Sequence, residues 1–180
     1  DFEAQNEYTI RVSTTDPHGN TFERGFIVTI LDVNEAPTDI ALDSNTVAEN
    51  QPAGTAIGTL STTDPDEGQS FSYSIVGEDS NFQIDGDTLE TAASFNFEAQ
   101  NQYQVEVMTT DSGEEPLSFS ETFTVNVTDV NERPTVSGLS VSPDPAKKPG
   151  TWSVTAEGVN DPEGNVGRVE FYVDEHDIGV

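Results

Sequence analysis

At 180 residues the chain has room for one or two domains, and 34 acidic against 6 basic residues give it a formal net charge of −28. That balance excludes a phosphate-seeking, nucleic-acid-binding surface, and the absence of cysteine excludes thiol chemistry, disulfides and Cys-ligated zinc. Calcium, which prefers carboxylate oxygen, is the natural counter-ion, although a solvated, salt-adapted acidic surface explains the charge equally well. No apolar run approaches the ~18 residues of a membrane span.

In chain order the pattern reads as strands. Tyr8, Ile10 and Val12 alternate with polar residues, and so do Phe26, Val28 and Ile30. Turn signals follow at Pro52-Ala53-Gly54 and Asp64-Pro65-Asp66-Glu67-Gly68, then a run through Phe71, Tyr73 and Ile75. Asp85-Gly86-Asp87 reads as a hairpin turn. Tyr103, Val105 and Val107, then Phe123, Val125 and Val127, alternate again. Period-2 alternation marks strands with one buried face, so these rings and branched side chains are expected in a core, together with Trp152. No amphipathic helix is evident.

The chain repeats itself. Asp1-Phe2-Glu3-Ala4-Gln5-Asn6 returns as Asn96-Phe97-Glu98-Ala99-Gln100-Asn101, 95 residues on. Thr14-Thr15-Asp16 returns as Thr109-Thr110-Asp111, and Asp32-Val33-Asn34-Glu35-Ala36-Pro37 as Asp129-Val130-Asn131-Glu132-Arg133-Pro134. A unit of about 95–97 residues is a whole β-sandwich rather than a solenoid repeat. The expected organisation is the last part of one unit over 1–37, a complete unit over 38–134, and the first part of a third over 135–180. The fold class is all-β, with tandem Greek-key sandwiches joined end to end.

Acids gather where the alternation stops: Ala48-Glu49-Asn50, Asp64-Pro65-Asp66, Asn96-Phe97-Glu98, Asp111, and the two proline-ended linkers. Clustered carboxylates repel unless a cation lies among them. In their order and domain-scale spacing these motifs resemble the cadherin repeat, in its bacterial cadherin-like form, over residues 1–134. The chain departs from that pattern in having Asn96 for an Asp, Glu35 and Glu132 for an Asp, and Ala36 and Arg133 for an Asn.

The resemblance implies calcium at inter-domain junctions. At the first junction it implies ligands Asp1, Glu3, Asp32, Asn34 and Glu35 upstream, with Asp64, Asp66 and Asp111 from the complete unit. At the second it implies Glu49, Glu98, Asp129, Asn131 and Glu132, with a weak part for Asn96. Asn34 and Asn131 would often serve through the backbone carbonyl. The third segment, with Val169-Glu170-Phe171-Tyr172-Val173-Asp174, resembles the start of a bacterial immunoglobulin-like domain. There Asp161 and Glu163 would complete the second junction.

The function implied is a calcium-stiffened, extracellular segment of a surface adhesin or fibre, not an enzyme. Its expected partners are calcium, the neighbouring domains, and identical arrays or surface glycans and proteins. Paired carboxylates can hydrolyse glycosides, but these lie at domain ends without a cleft, and no nucleophile-elbow motif is present. Spacer domains of a large secreted enzyme and a carbohydrate-binding module are the alternatives.

Overall fold

The computed structural model describes residues 2–143, 152–164 and 166–171, and every regular element among them is a strand. Asp1 and Tyr172–Asp174, part of the expected last strand, lie outside the described residues. Strands β1 (Glu7–Thr15) and β2 (Thr21–Thr29) form an antiparallel hairpin in which Glu7 faces Thr29 and Thr15 faces Thr21.

The next eight strands build two four-stranded sheets. One has the order β3 (Asp39–Leu42), β5 (Ala56–Thr63), β8 (Thr88–Thr91), β7 (Phe82–Asp85). The other has the order β4 (Thr46–Ala48), β10 (Ser118–Thr128), β9 (Gln102–Thr110), β6 (Ser72–Ile75). The first strand of the unit is therefore split. Its β3 half pairs antiparallel with β5, and its β4 half crosses over to pair parallel with β10. Residues Asp85-Gly86-Asp87-Thr88 close the β7–β8 hairpin with Gly86 at φ 62°, the turn expected there.

Alternation puts one face of each sheet inward. Ile40, Ile57, Leu60, Phe82 and Leu89 from the first sheet meet Val47, Val105, Val107, Val125 and Val127 from the second. Along β5 the inward phase shifts from Ile57 to Leu60, because a register irregularity falls between Ala56 and Gly58. Gly58 is required there: a Cβ would collide with the Ser44 carbonyl. Phe95, 4.5 Å from the Tyr103 ring and 5.6 Å from that of Phe82, closes one end of this core.

Beyond this sandwich, β11 (Gly138–Pro143) and β12 (Trp152–Glu157) form a hairpin, extended by a bridge between Thr135 and Asn160. Trp152 does not join a core as expected. It is exposed on β12, since no second sheet faces that hairpin among the described residues. The same holds for Tyr8 and Phe26 on β1–β2. Residues 169–171 are not strand-paired.

Candidate metal centre

Two groups of acids form where the chain runs between these elements. In the first, Glu3, Asp32, Glu35 and Asp66 each bring a carboxylate oxygen within 4.8 Å of the others. Glu3 precedes β1, Asp32 and Glu35 lie between β2 and β3, and Asp66 lies in the β5–β6 loop. That loop is turned back by Asp64, whose Oδ1 accepts the Asp66 N–H at 2.9 Å. Asp66 Oδ2 in turn accepts the Glu35 N–H at 2.8 Å.

Asn34 ties the same stretch to a second loop. Its Nδ2 donates to Asp111 Oδ2 at 3.2 Å and to the Glu115 carbonyl at 3.1 Å. Asp111 is buried at the end of β9, and its Oδ1 accepts the Gly113 N–H at 3.0 Å. Burial pushes the Asp111 carboxyl up, but the Gly113 and Leu117 N–H groups and the Asn34 amide outweigh it and hold it below its ordinary value. The Asn34 amide lies so close to Gly113 that any Cβ there would overlap it.

In the second group, Glu49, Glu98 and Asp129 bring carboxylate oxygens within 4.8 Å of one another. Glu49 is fully buried just past β4 and tolerates it because each oxygen accepts a backbone N–H: Oε2 from Phe97 and Oε1 from Val130, both at 2.8 Å. Next in chain, Asn50 takes the left-handed conformation at φ 60°, which Asn tolerates, and its amide donates to Glu132 Oε1. The Glu132 N–H donates to Glu163 Oε1 at 2.5 Å, so the 161–164 turn reaches this linker as the 64–68 turn reaches the first.

Two of the expected ligands use their side chains locally. Asn96 Oδ1 accepts the Ala99 N–H at 2.6 Å, and Asn131 Nδ2 donates to the Glu132 carbonyl at 3.1 Å.

The charge state records the crowding. Burial, then the charges of Glu3 and Asp66, push the Glu35 carboxyl above its ordinary value. Burial also pushes Glu132 up, with Glu163, Glu49 and Glu98 adding to it and the Asn50 amide opposing it. The two carboxyls of the 161–164 turn are pushed apart: Asp161 is held above its ordinary value, first by the neighbouring Glu163 carboxyl and then by burial, while Glu163 is held down to about 2, first by Asp161 and then by the Glu132 N–H.

The remaining observation is one of unmet demand. Among the described residues, the buried side-chain polar atoms without a hydrogen-bond partner are Asp64 Oδ2, Asp66 Oδ1, Gln69 Oε1, Glu132 Oε2, Asp161 Oδ1 and Glu163 Oε2. All are oxygens, and all lie in or beside these two groups. Such atoms cost roughly 1–3 kcal/mol each when left unpaired, more when charged. An oxygen-only donor set of this kind fits a hard divalent cation and not a thiophilic metal.

Sequence reasoning missed Gln69 and Gly113. Neither is charged, so neither stands out among acids, and the Gln69–Asn34 contact spans 35 positions.

Residues 43–128 match the family described as the cadherin domain. This repeat is a cadherin-like β-sandwich. The chain is 33% identical to mouse protocadherin Fat 2 over 145 residues, covering 74% of this chain and 3% of that protein. It is 28% identical to human protocadherin gamma-B7 over 187 residues, covering 95% of this chain and 20% of that one. The chain thus spans a small fraction of the curated relatives it matches. Among solved structures, extracellular cadherin domains 3–6 of protocadherin gamma B2 superpose with a TM-score of 0.63 at 28% identity, over 90% of this chain and 41% of that one. In the cadherin-like repeat described here, the first acid group lies on the side that β3 enters and the second on the side that β10 leaves.

Proposed function

We propose that this chain is a segment of an extracellular adhesive or stalk-forming array, non-enzymatic, in which calcium bound at two inter-domain junctions holds successive sandwiches in a stiff line. The observation that carries the reading is the gathering of the unpartnered buried oxygens at the two linkers. The relatives add to it, being protocadherins. The domains are residues 1–37, 38–134 and 135–180. The resemblance of 135–180 to a bacterial immunoglobulin-like segment favours a surface adhesin or fibre.

The first junction would draw on Asp1, Glu3, Asp32, Asn34, Glu35, Asp64, Asp66 and Asp111. The second would draw on Glu49, Glu98, Asp129, Asn131, Glu132, Asp161 and Glu163, with Asn96 peripheral. The protein's contribution is mainly placement. Strand ends β4, β9 and β10 and the 64–68 and 161–164 turns carry the oxygens, so little chain has to be ordered when the ion arrives. Calcium supplies the charge that makes several carboxylates within 4.8 Å of one another tolerable; at ~4 Å each like-charged pair costs about 1 kcal/mol in water and several-fold more where water is partly excluded.

A calcium titration followed by small-angle scattering and thermal melting, with chelator as control, tests this. Extracellular calcium modules bind at ~10⁻⁴–10⁻³ M, so the maximum dimension and melting point are expected to rise over that range. At calcium ~10-fold above Kd, each site adds about 1.4 kcal/mol of stability. A maximum dimension and melting point indifferent to both calcium and chelator would sink the reading.

A further inference from the structure

Gln69 follows the 64–68 turn and belongs to no part of the resemblance. Its carboxamide crosses from that loop to the linker. Nε2 donates to Asn34 Oδ1 at 2.7 Å and to Asp66 Oδ2 at 3.1 Å. Those two acceptors orient the amide, since the reverse orientation would set oxygen against oxygen. Its own oxygen, Oε1, is consequently buried without a donor, as is Oδ1 of the Asp66 it contacts. Side-chain amide oxygens are ordinary calcium ligands, and a neutral one adds an electron pair without adding repulsion to Glu3, Asp32, Glu35 and Asp66.

We propose that Gln69 is an uncharged oxygen ligand of the first junction, binding the cation through Oε1 while its Nε2 holds Asn34 and Asp66 in place. This rests on the calcium reading above.

The test uses europium as a calcium substitute, in the full chain with the second junction weakened by Glu98→Gln and Asp129→Asn. Excited-state lifetimes in H2O and D2O count the waters on the ion, and competition with calcium gives the affinity. In Gln69→Leu a water is expected to replace the amide, raising the count by about one, with calcium affinity falling about tenfold, equivalent to ~1.4 kcal/mol. Gln69→Asn, which keeps the amide but draws its oxygen back by one methylene, is expected to raise the count likewise. If Gln69→Leu leaves both water count and affinity unchanged, Gln69 is no ligand although the calcium reading stands. If Gln69→Leu lowers affinity without adding a water, Gln69 acts by position alone and the proposal is overturned. If Gln69→Leu fails to fold by circular dichroism, Gln69→Ala decides: an added water supports the ligand role, an unchanged count overturns it. If the starting chain binds neither europium nor calcium there, the calcium reading itself falls.

Discussion

The hairpins β1–β2 and β9–β10 are two copies of one sequence in two environments. In the second, Val105 and Val107 are 1% and 0% exposed, facing a complete opposite sheet. Their counterparts in the first, Ile10 and Val12, are 50% and 47% exposed, with no sheet opposite among the described residues. Both hairpins nevertheless pair nine positions in unbroken antiparallel register. The same alternation thus supplies an apolar face in both hairpins, and burial is decided by what stands across from it.

The sharpest way to break the comparison is at Glu49, the buried acid of the second group. Glu49→Ala would strand the Phe97 and Val130 N–H groups, and at ~1–3 kcal/mol for each unpaired group it is expected to cost the repeat about 2–5 kcal/mol in urea unfolding. A loss under 1 kcal/mol would mean that water reaches those donors.

The paired substitutions Val107→Ala and Val12→Ala come next. The first is expected to cost about 2–3 kcal/mol, for two methyl groups and the cavity they leave, and the second no more than ~0.5 kcal/mol. Equal costs in the same melt would show that the first hairpin is covered in solution.

Gly113→Ala pushes into the Asn34 amide and so acts on the first junction alone. Overpacking of this kind costs about 1–3 kcal/mol, read as weaker calcium binding there with the second junction unchanged.

The smallest effect is in pH. Asp16 and Asp111 occupy matching places in the two hairpins, and both are held below the ordinary 3.8. Asp16 is lowered first by the Asn20 side chain, with help from the Asn20, His18 and Gly19 backbone. Because the folded value lies below the unfolded one, each contributes stability that is present above pH 3.8 and lost as pH falls through the folded value. Carbon-detected titration of both side chains checks this; a midpoint at or above 3.8 for either would remove it.

Much of the fold is legible from the repeat and from alternation. Phe123, Val125 and Val127 announce β10, and Asp85-Gly86-Asp87 announces its turn. What could not be read is partnership. Nothing in Asp39–Ala48 announces that one strand divides between two sheets, because that depends on β5 and β10, which lie far along the chain. Trp152 looks like core by residue type, yet burial needs an opposite face. The same limit applies to the acids. Their positions stand out because charge and strand ends are local. Gln69 and Gly113 do not, because an amide bridge and a missing Cβ gain meaning only beside Asn34.

The division of that first strand has a mechanical consequence. The β4 half runs parallel to β10, with Thr46, Val47 and Ala48 beside Asn126, Val127 and Thr128. Tension along the chain draws β4 toward the entering end of the sandwich and β10 toward the leaving end. The two strands are thereby loaded in shear, so their hydrogen bonds must fail together and not one after another like a zipper. Single-molecule pulling would read this as a high rupture force, and Val47→Pro, which takes a donor from the seam, as its reduction.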